Sequence, residues 1–321
     1  TWSLEAMPLV SVGLPVYNGE AMLPAALESL LGQTFQEIEV IICDNASTDG
    51  TLEIARQFEA RDSRVSVHTS QRNEGAAWNF NRSFALAKGE YFKWASHDDL
   101  CGPTLIEKCV SVLSEDPDLV LCHCQSDEID PEGTFLRHLH CPSGIASERP
   151  SERFRSLVME RHASIPIFGV IRSEILRRTP LIAKYVGSDW VLLCQLALVG
   201  KLLEIPEIMF WRTEHPGTSQ NAYEPSERLE WFDSSKAGRI GFPHWRMAAE
   251  LIRTVHGASL SATEKDACLR VVGSYVYQRS RGLRSDLFAA TKRTLRKTSG
   301  GARIVESLKG LYHSRLGVHG G

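Results

Sequence analysis

The chain has 321 residues, of which 43% are apolar and 23% charged, close to the usage of an ordinary soluble globular protein. This composition excludes a disordered, collagen-like or coiled-coil protein. The 36 basic and 39 acidic residues leave a net charge of -3, so no overall positive field draws the molecule to nucleic acid. We therefore expect one large domain or two of ordinary size, and no nucleic-acid partner.

Strand and helix patterns alternate over the first part of the chain. Strands are predicted at residues 9–14, 38–43, 65–68, 91–95 and 119–124, and helices at 21–31, from 52, at 76–87 and at 103–113. Such alternation is typical of an α/β fold with a mainly parallel sheet flanked by helices. Ligands of these sheets bind outside the carboxyl ends of the strands, so the polar segments that follow the strands are the first candidates for a functional site.

The second part of the chain is less regular. Residues 127–161 contain several prolines and glycines and predict long loops, which either cover a substrate or are plain surface insertions. Later patterns predict strands at 165–171 and 208–211 and helices at 190–199, 246–255, 264–279 and 286–295. We therefore divide the chain into an α/β domain of residues 1–222 and a helical C-terminal extension of residues 223–321.

The eight cysteines form no CxxC pair and mostly lie in apolar segments, so we predict buried free thiols. The Cys122, His123 and Cys124 cluster is open to metal binding, but a strand with two inward-facing thiols is the interpretation we prefer. Residues 1–8 do not resemble a secretory signal, and the apolar segment 190–203 is too short to span a bilayer. We expect a cytoplasmic, reduced protein.

Two adjacent carboxylates, Asp98 and Asp99, follow the predicted strand 91–95 directly after His97. Neighbouring acids repel one another unless a cation offsets their charge. A hard divalent ion such as Mg²⁺ or Mn²⁺ takes oxygen ligands and can bridge a substrate diphosphate. The alternative is that one of the acids caps the helix predicted at 103–113, and the pair alone leaves both interpretations open.

Polar segments also follow the first two strands. Tyr17 offers a flat face on which a base can stack, and the carboxylate of Asp44 can accept a hydrogen bond from a ring N-H of that base. Each segment also has an interpretation as ordinary turn chemistry, in which Asp49 caps the helix that follows it.

Taken together, these segments resemble the family 2 glycosyltransferases of the GT-A fold. The resemblance covers roughly residues 8–220 and depends on the order of four motifs: P-x-Y-N at 15–18, D-(D/N)-x-S-x-D at 44–49, N-x-G at 73–75, and a G-E-Y strand at 89–91 followed by the acidic pair. It implies a Rossmann-like GT-A domain with a nucleotide-sugar donor. The implied nucleotide-binding residues are Pro15, Tyr17, Asn18, Asp44, Arg72, Asn73, Gly75 and Asp98.

The resemblance also implies a catalytic mechanism. Asp99 and Asp98 would hold Mg²⁺ or Mn²⁺, and His215 of the R-x-x-H segment at 212–215 is either a third ligand or a structural histidine. Asp189 occupies the position of the general base of an inverting transfer, and the positive end of its helix is expected to keep it ionised. Its alternative is an ordinary acid in the first helical turn. Many members carry an acid where this chain has His97.

The implied reaction is a single addition of a hexose to an acceptor hydroxyl, because the Q-x-x-R-W motif of processive synthases is absent. UDP is the default nucleotide, with dTDP or GDP as alternatives, and the acceptor is a sugar, a lipid-linked molecule or another hydroxyl compound. Residues 279–315 carry ten basic and two acidic side chains, a net charge of +8. This segment is either a solvated helix face or a contact with anionic lipid at the inner face of the membrane.

Two other functions stay open at this stage. A nucleotidyltransferase also uses a parallel sheet and a metal-bound nucleotide, but residues 14–19 supply neither its Gly-rich loop nor its basic residue. A non-catalytic protein that binds sugar nucleotides or carbohydrates is the second alternative, and His97 in place of an acid is the feature that favours it.

Overall fold

The structure, a computed structural model, describes residues 8–218 and 242–295. Its described residues form one sheet with the order β3-β2-β1-β4-β8-β6-β9-β5, and β7 pairs with β6 outside this path. The strands are β1 Val10–Val16, β2 Ile38–Asp44, β3 Val65–Thr69, β4 Tyr91–Trp94, β5 Leu100–Cys101, β6 Leu119–Ile129, β7 Phe135–Leu139, β8 Val170–Arg172 and β9 Lys201–Thr213.

The described helices cover both faces of this sheet. They are α1 Leu23–Leu31, α2 Thr51–Arg61, α3 Ala76–Ala85, α4 Leu105–Glu115, α5 Pro150–Met159, α6 Ser173–Leu176, α7 Ser188–Val199, α8 Pro243–Gly257, α9 Ala262–Gln278 and α10 Ser280–Leu295. A 3-10 helix, Ile165–Phe168, precedes β8.

The half of the sheet that contains β1 to β4 is parallel, as the alternating pattern predicts. Every residue of β1 is buried, because helices cover the strand on both faces. Beyond β4 the sheet is mixed: β8 is antiparallel to β4 and β6, and β6 is parallel to β9. The parallel register sets Val16 opposite Asp44, so the loops after β1 and β2 leave the sheet at the same edge.

Two apolar cores lie on the two faces of the sheet. One contains side chains of α1, α2 and α4, and the other contains side chains of α3, α5 and α7. Leu251 of α8 and Val272 of α9 belong to the second core, so the described helices of the predicted extension pack against the α/β domain. The boundary at residue 222 stays a prediction.

Two predictions for the second part of the chain are wrong. Residues 127–161 are not continuous loops, because they contain the end of β6, all of β7 and α5. Pro150, taken as a loop signal, is at the first turn of α5, where its missing N-H costs no hydrogen bond. The strand predicted at 165–171 is a 3-10 helix followed by the short β8, and Pro166 could not donate to a sheet ladder.

The cysteines agree with the sequence prediction except for Cys141, which is only partly buried. All eight are free, and Cys122 and Cys124 are buried in the first core as the two inward-facing thiols of β6. No helix within residues 8–218 and 242–295 is long and apolar enough to cross a membrane. Of the basic segment 279–315, α10 covers residues 280–295, and residues 296–315 lie outside the described residues.

Candidate active site

The loops after β1 and β2 are joined by reciprocal hydrogen bonds. The backbone N-H of Asn18 donates to the hydroxyl of Ser47 at 2.9 Å, and the N-H of Thr48 donates to Oδ1 of Asn18 at 2.8 Å. Asn18 has a φ of 53°, a left-handed conformation that asparagine tolerates better than most residues. The P-x-Y-N and D-N-x-S-x-D motifs therefore form one structural unit at the sheet edge.

The residues predicted to bind the base lie in this unit. Asp44 is buried, and its two carboxylate oxygens each lie 3.3 Å from the N-H of Ser47. Tyr17 is 38% exposed, so its ring is open to a ligand, whereas Pro15 lies within β1 opposite Cys43. The turn interpretation of the second motif also holds, since Oδ1 of Asp49 accepts the N-H of Thr51 at 3.1 Å at the start of α2.

A third loop, between β3 and α3, is attached to this unit through Asn45. Nδ2 of Asn45 donates to Oδ1 of Asn73 at 2.9 Å, and its Oδ1 accepts the N-H of Glu74 at 3.0 Å. Gly75 ends the loop with a φ of 89°, a conformation that favours glycine. The loop that contains Asn73 and Gly75 is therefore hydrogen-bonded to the first two loops. The Arg72 side chain of the same loop is 80% exposed and forms an ion pair with Glu74 at 2.7 Å.

The acidic pair after β4 contacts the end of β9. Oδ2 of Asp98 lies 3.0 Å from Nε2 of His215, and Oδ1 of Asp99 accepts the N-H of Thr213 at 3.0 Å. The N-H of Gly217 donates to Nδ1 of His215 at 3.2 Å, so Nε2 carries the proton that faces Asp98. Neither acid caps α4, which begins without a side-chain cap, and the capping interpretation of the pair is therefore wrong.

The two carboxyls of the pair have opposite pKa shifts. Burial alone would raise the pKa of Asp98, but the hydrogen bond from His215 and other neighbours lower it to about 2. Burial and the charge of Asp98 hold the pKa of Asp99 well above its usual range, and the N-H of Thr213 offsets this only in part. The hydrogen bond to Asp98 raises the pKa of His215. A buried, repelled carboxylate of this kind fits a cation site, and carboxylate oxygens are the ligands that Mg²⁺ and Mn²⁺ prefer.

Two cations lie near the pair: Lys93 was missed in the sequence, and Arg212 was named there only as part of the R-x-x-H segment. Lys93 of β4 is fully buried, its Nζ donates to the carbonyl of Phe168, and its charge favours ionisation of Asp99. The charge of the Arg212 guanidinium, on β9, also favours ionisation of Asp99. This guanidinium lies 3.6 Å from the carboxylate of Glu128. A lysine inside the apolar strand Tyr91–Trp94 was the available signal, since a buried cation requires a nearby counter-charge.

His97 packs against the loop after β1. A Cβ placed on Gly19 would lie only 2.4 Å from a carbon of the His97 ring, so the two residues are in close contact. His97 also lies near enough to Asp98 to lower the pKa of that carboxyl. His97 therefore helps to keep Asp98 ionised.

Asp189 is the second residue of α7 and is partly buried. Burial raises its pKa, and the hydrogen bonds from Trp190 and Ser164 lower it only in part. Burial therefore opposes the effect expected of the positive end of α7, and the ionised state of Asp189 stays a prediction. Within the described residues, no hydrogen bond or ion pair links Asp189 to Asp98 or Asp99, and its role as a base stays a prediction.

Comparison with known sequences gives a family and several relatives. The family model described as glycosyl transferase family 2 matches residues 11–179. A chondroitin synthase from Escherichia coli is 34% identical over 134 residues, which are 42% of this chain and 19% of that protein. The putative glycosyltransferase EpsE from Bacillus subtilis is 39% identical over 113 residues, which are 35% of this chain and 41% of that protein. The matches thus span less than half of these curated relatives.

Comparison with solved structures gives the fold. Residues 1–349 of TarS from Staphylococcus aureus, in complex with UDP-GlcNAc, superpose with a TM-score of 0.66 at 17% identity, covering 92% of this chain and 83% of that one. The mannosyltransferase PcManGT from Pyrobaculum calidifontis, in complex with GDP-Man and Mn²⁺, superposes with a TM-score of 0.52 at 17% identity, covering 95% and 80%. These likenesses confirm the predicted α/β architecture of the GT-A type.

Proposed function

Because this chain belongs to the family 2 glycosyltransferases, we propose that it transfers a sugar from a nucleoside-diphosphate sugar to an acceptor hydroxyl. One observation carries this proposal: the acidic pair after β4 contacts the end of β9. Asp98 is hydrogen-bonded to His215, and Asp99 is hydrogen-bonded to Thr213. Three hydrogen-bonded loops that offer an exposed aromatic ring and a buried carboxylate leave the same sheet.

The donor nucleotide is proposed to lie on the loops after β1, β2 and β3. Tyr17 would stack on the base, and Asp44 would accept its ring N-H, a group that uracil, thymine and guanine all carry. Asn18, Asn73 and Gly75 belong to the hydrogen-bonded loops that line this position. UDP is the first nucleotide to test, followed by dTDP and GDP. TarS is named in complex with UDP-GlcNAc and PcManGT with GDP-Man, which supports this order without choosing between them.

The divalent cation is proposed to be held by Asp99 and Asp98. His215 is the third candidate ligand only if its Nε2 gives up the proton that faces Asp98, because its Nδ1 accepts the N-H of Gly217. When bound, Mg²⁺ or Mn²⁺ supplies the positive charge that stabilises the departing diphosphate. The fit is supported by the raised pKa of Asp99, which burial and the charge of Asp98 cause. With that proton in place, His215 instead orients Asp98, since its Nε2-H donates to Oδ2 of that residue.

Asp189 is proposed as the general base of an inverting, single displacement. Its carboxylate takes the proton of the acceptor hydroxyl while the oxygen bonds to the sugar carbon, and the bond from that carbon to the diphosphate breaks with its electron pair leaving on phosphate. The raised pKa of Asp189, caused by burial, makes the residue a stronger proton acceptor than an exposed aspartate.

The acceptor is proposed to be a sugar, a lipid-linked molecule or another hydroxyl compound, and the transfer a single addition. A lipid-linked acceptor would suit a peripheral contact between the basic segment 279–315 and anionic lipid at the cytoplasmic face of a membrane. Co-sedimentation with phosphatidylserine vesicles at low salt tests this contact, and failure to bind would remove it.

A screen of nucleotide sugars with Mn²⁺ and Mg²⁺ tests the whole proposal. We expect one nucleoside diphosphate to raise the melting temperature in the presence of metal, and the matching nucleotide sugar to release that diphosphate. The variant Asp99→Asn should lose the metal-dependent part of both signals, whereas the control Glu174→Gln, in an exposed pair with Arg178, should keep them. Pyrophosphate release from a nucleoside triphosphate would indicate a nucleotidyltransferase, and binding without turnover a non-catalytic protein.

A further inference from the structure

Three side chains of metal-ligating types lie together on the sheet at a place separate from the acidic pair. His123 of β6 is paired in register with Glu204 of the parallel strand β9, and Cys141 follows β7. A ligand atom of each residue lies within 4.8 Å of the ligand atoms of the other two. These residues are separated by 18 and 63 positions in the chain, and only the pairing of β6 with β9 and the path after β7 bring them together.

The separation of Cys141 and His123 matches that of two ligands of one zinc ion. Sγ of Cys141 lies 3.4 Å from Nε2 of His123. A tetrahedral Zn²⁺ with usual bond lengths to sulfur and nitrogen separates those two atoms by about 3.5 Å. A thiol, an imidazole and a carboxylate together suit Zn²⁺ better than Mg²⁺ or Mn²⁺, which prefer oxygen ligands alone.

The surroundings of His123 prepare its ring for metal binding. Nδ1 lies 3.0 Å from the carbonyl oxygen of Cys124, which can only accept, so Nδ1 carries the proton and Nε2 presents its lone pair to Cys141. Zinc-binding histidines usually make this second hydrogen bond to a carbonyl or carboxylate. His123 is 3% exposed, so its orientation is held by packing as well.

We propose that His123, Cys141 and Glu204 bind one Zn²⁺, which attaches the segment after β7 to the sheet. Cys141 and Glu204 are only partly buried, which leaves the fourth position to water. On binding, the Cys141 thiol loses its proton to solvent and its sulfur bonds to the metal. The site is separate from the acidic pair, because β6 runs six further residues, about 20 Å, before Ile129 pairs with Thr213.

Cobalt substitution tests this site through a signal that only a thiolate ligand produces. The chain of 321 residues, stripped of metal with a chelator and titrated with Co²⁺, should develop a sulfur-to-cobalt charge-transfer band that saturates at one equivalent and disappears when Zn²⁺ is added. After addition of Zn²⁺ and desalting, elemental analysis should find one zinc per chain that the variant Asp99→Asn retains.

Matched variants identify the ligands. Cys141→Ser and His123→Asn should abolish the band and lose the bound zinc, whereas the controls Cys268→Ser and His138→Asn should keep both. Circular dichroism of each variant in the absence of metal checks that it is folded. A wild-type protein without the band, or a folded Cys141→Ser variant that keeps it, would overturn the proposal and leave a thiol that donates a hydrogen bond to His123 or Glu204.

Discussion

Replacement of Asp189 by asparagine separates a catalytic role from a structural one. Asparagine keeps the shape of the side chain but cannot accept a proton from the acceptor hydroxyl. General-base catalysis by a positioned carboxylate is worth roughly 10²- to 10⁴-fold in rate. We therefore expect kcat for sugar transfer to fall by about this factor, with little change in the affinity for the donor.

The same substitution should leave the fold intact. Burial raises the pKa of Asp189, so its charge costs the native state free energy at neutral pH, at about 1.4 kcal/mol for each pKa unit. This cost disappears as the pH falls through the raised pKa, and a neutral asparagine removes it at every pH. The loss of charge-assisted hydrogen bonds from Trp190 and Ser164 acts in the opposite direction by about 1 kcal/mol each. We expect the melting temperature at pH 7 to change by no more than about 4 °C.

The assay follows release of the nucleoside diphosphate from the donor identified by the screen, together with the pH profile of kcat/KM. The acid limb of the wild-type profile should lie above pH 3.8, the ordinary pKa of aspartate, because Asp189 must be ionised to act. Ser164→Ala removes a hydrogen bond that lowers the pKa of Asp189, so its acid limb should move to higher pH. An Asp189→Asn variant within tenfold of the wild-type rate would refute the assignment, and so would one that loses activity only because it melts many degrees lower.

Two further predictions concern the scaffold. Asn45→Ala removes four hydrogen bonds between the β2 loop and the β3–α3 loop. The free energy of unfolding in urea should therefore fall by about 1–3 kcal/mol, and calorimetry should show a weaker nucleotide affinity; unchanged affinity would exclude a positioning role for Asn45. Glu264 accepts the N-H of Ser151 at 2.8 Å and pairs with Arg149, which lowers its pKa. Glu264→Gln should therefore lower the free energy of unfolding by about 1 kcal/mol at pH 7. The difference in stability between variant and wild type should disappear as the pH falls well below 4.5; a difference that persists at low pH would contradict the ionic origin of this stabilisation.

Prediction from the sequence succeeded where structure depends on neighbours along the chain. The strands and helices of the parallel half follow from local apolar periodicity, and each polar motif stands at the end of its strand. Prediction failed for residues 127–161, where β7 is an exposed strand and α5 begins at a proline. Local pattern could not reveal these elements, because the contacts that stabilise α5 come from α7 and α9.

The residues of the site divide in the same way. Adjacent positions in the chain already put Asp98 beside Asp99 and Cys122 beside Cys124. The contacts of Asp98 with His215, of Asn45 with Asn73 and of His123 with Cys141 exist only in the folded chain. Cys122 and Cys124, next to His123 in the chain, are buried in the core on the opposite face of β6, because side chains alternate along a strand. Strand register and crossover paths decide which distant residues become neighbours. The period of apolar residues along the chain predicts neither the register nor the path.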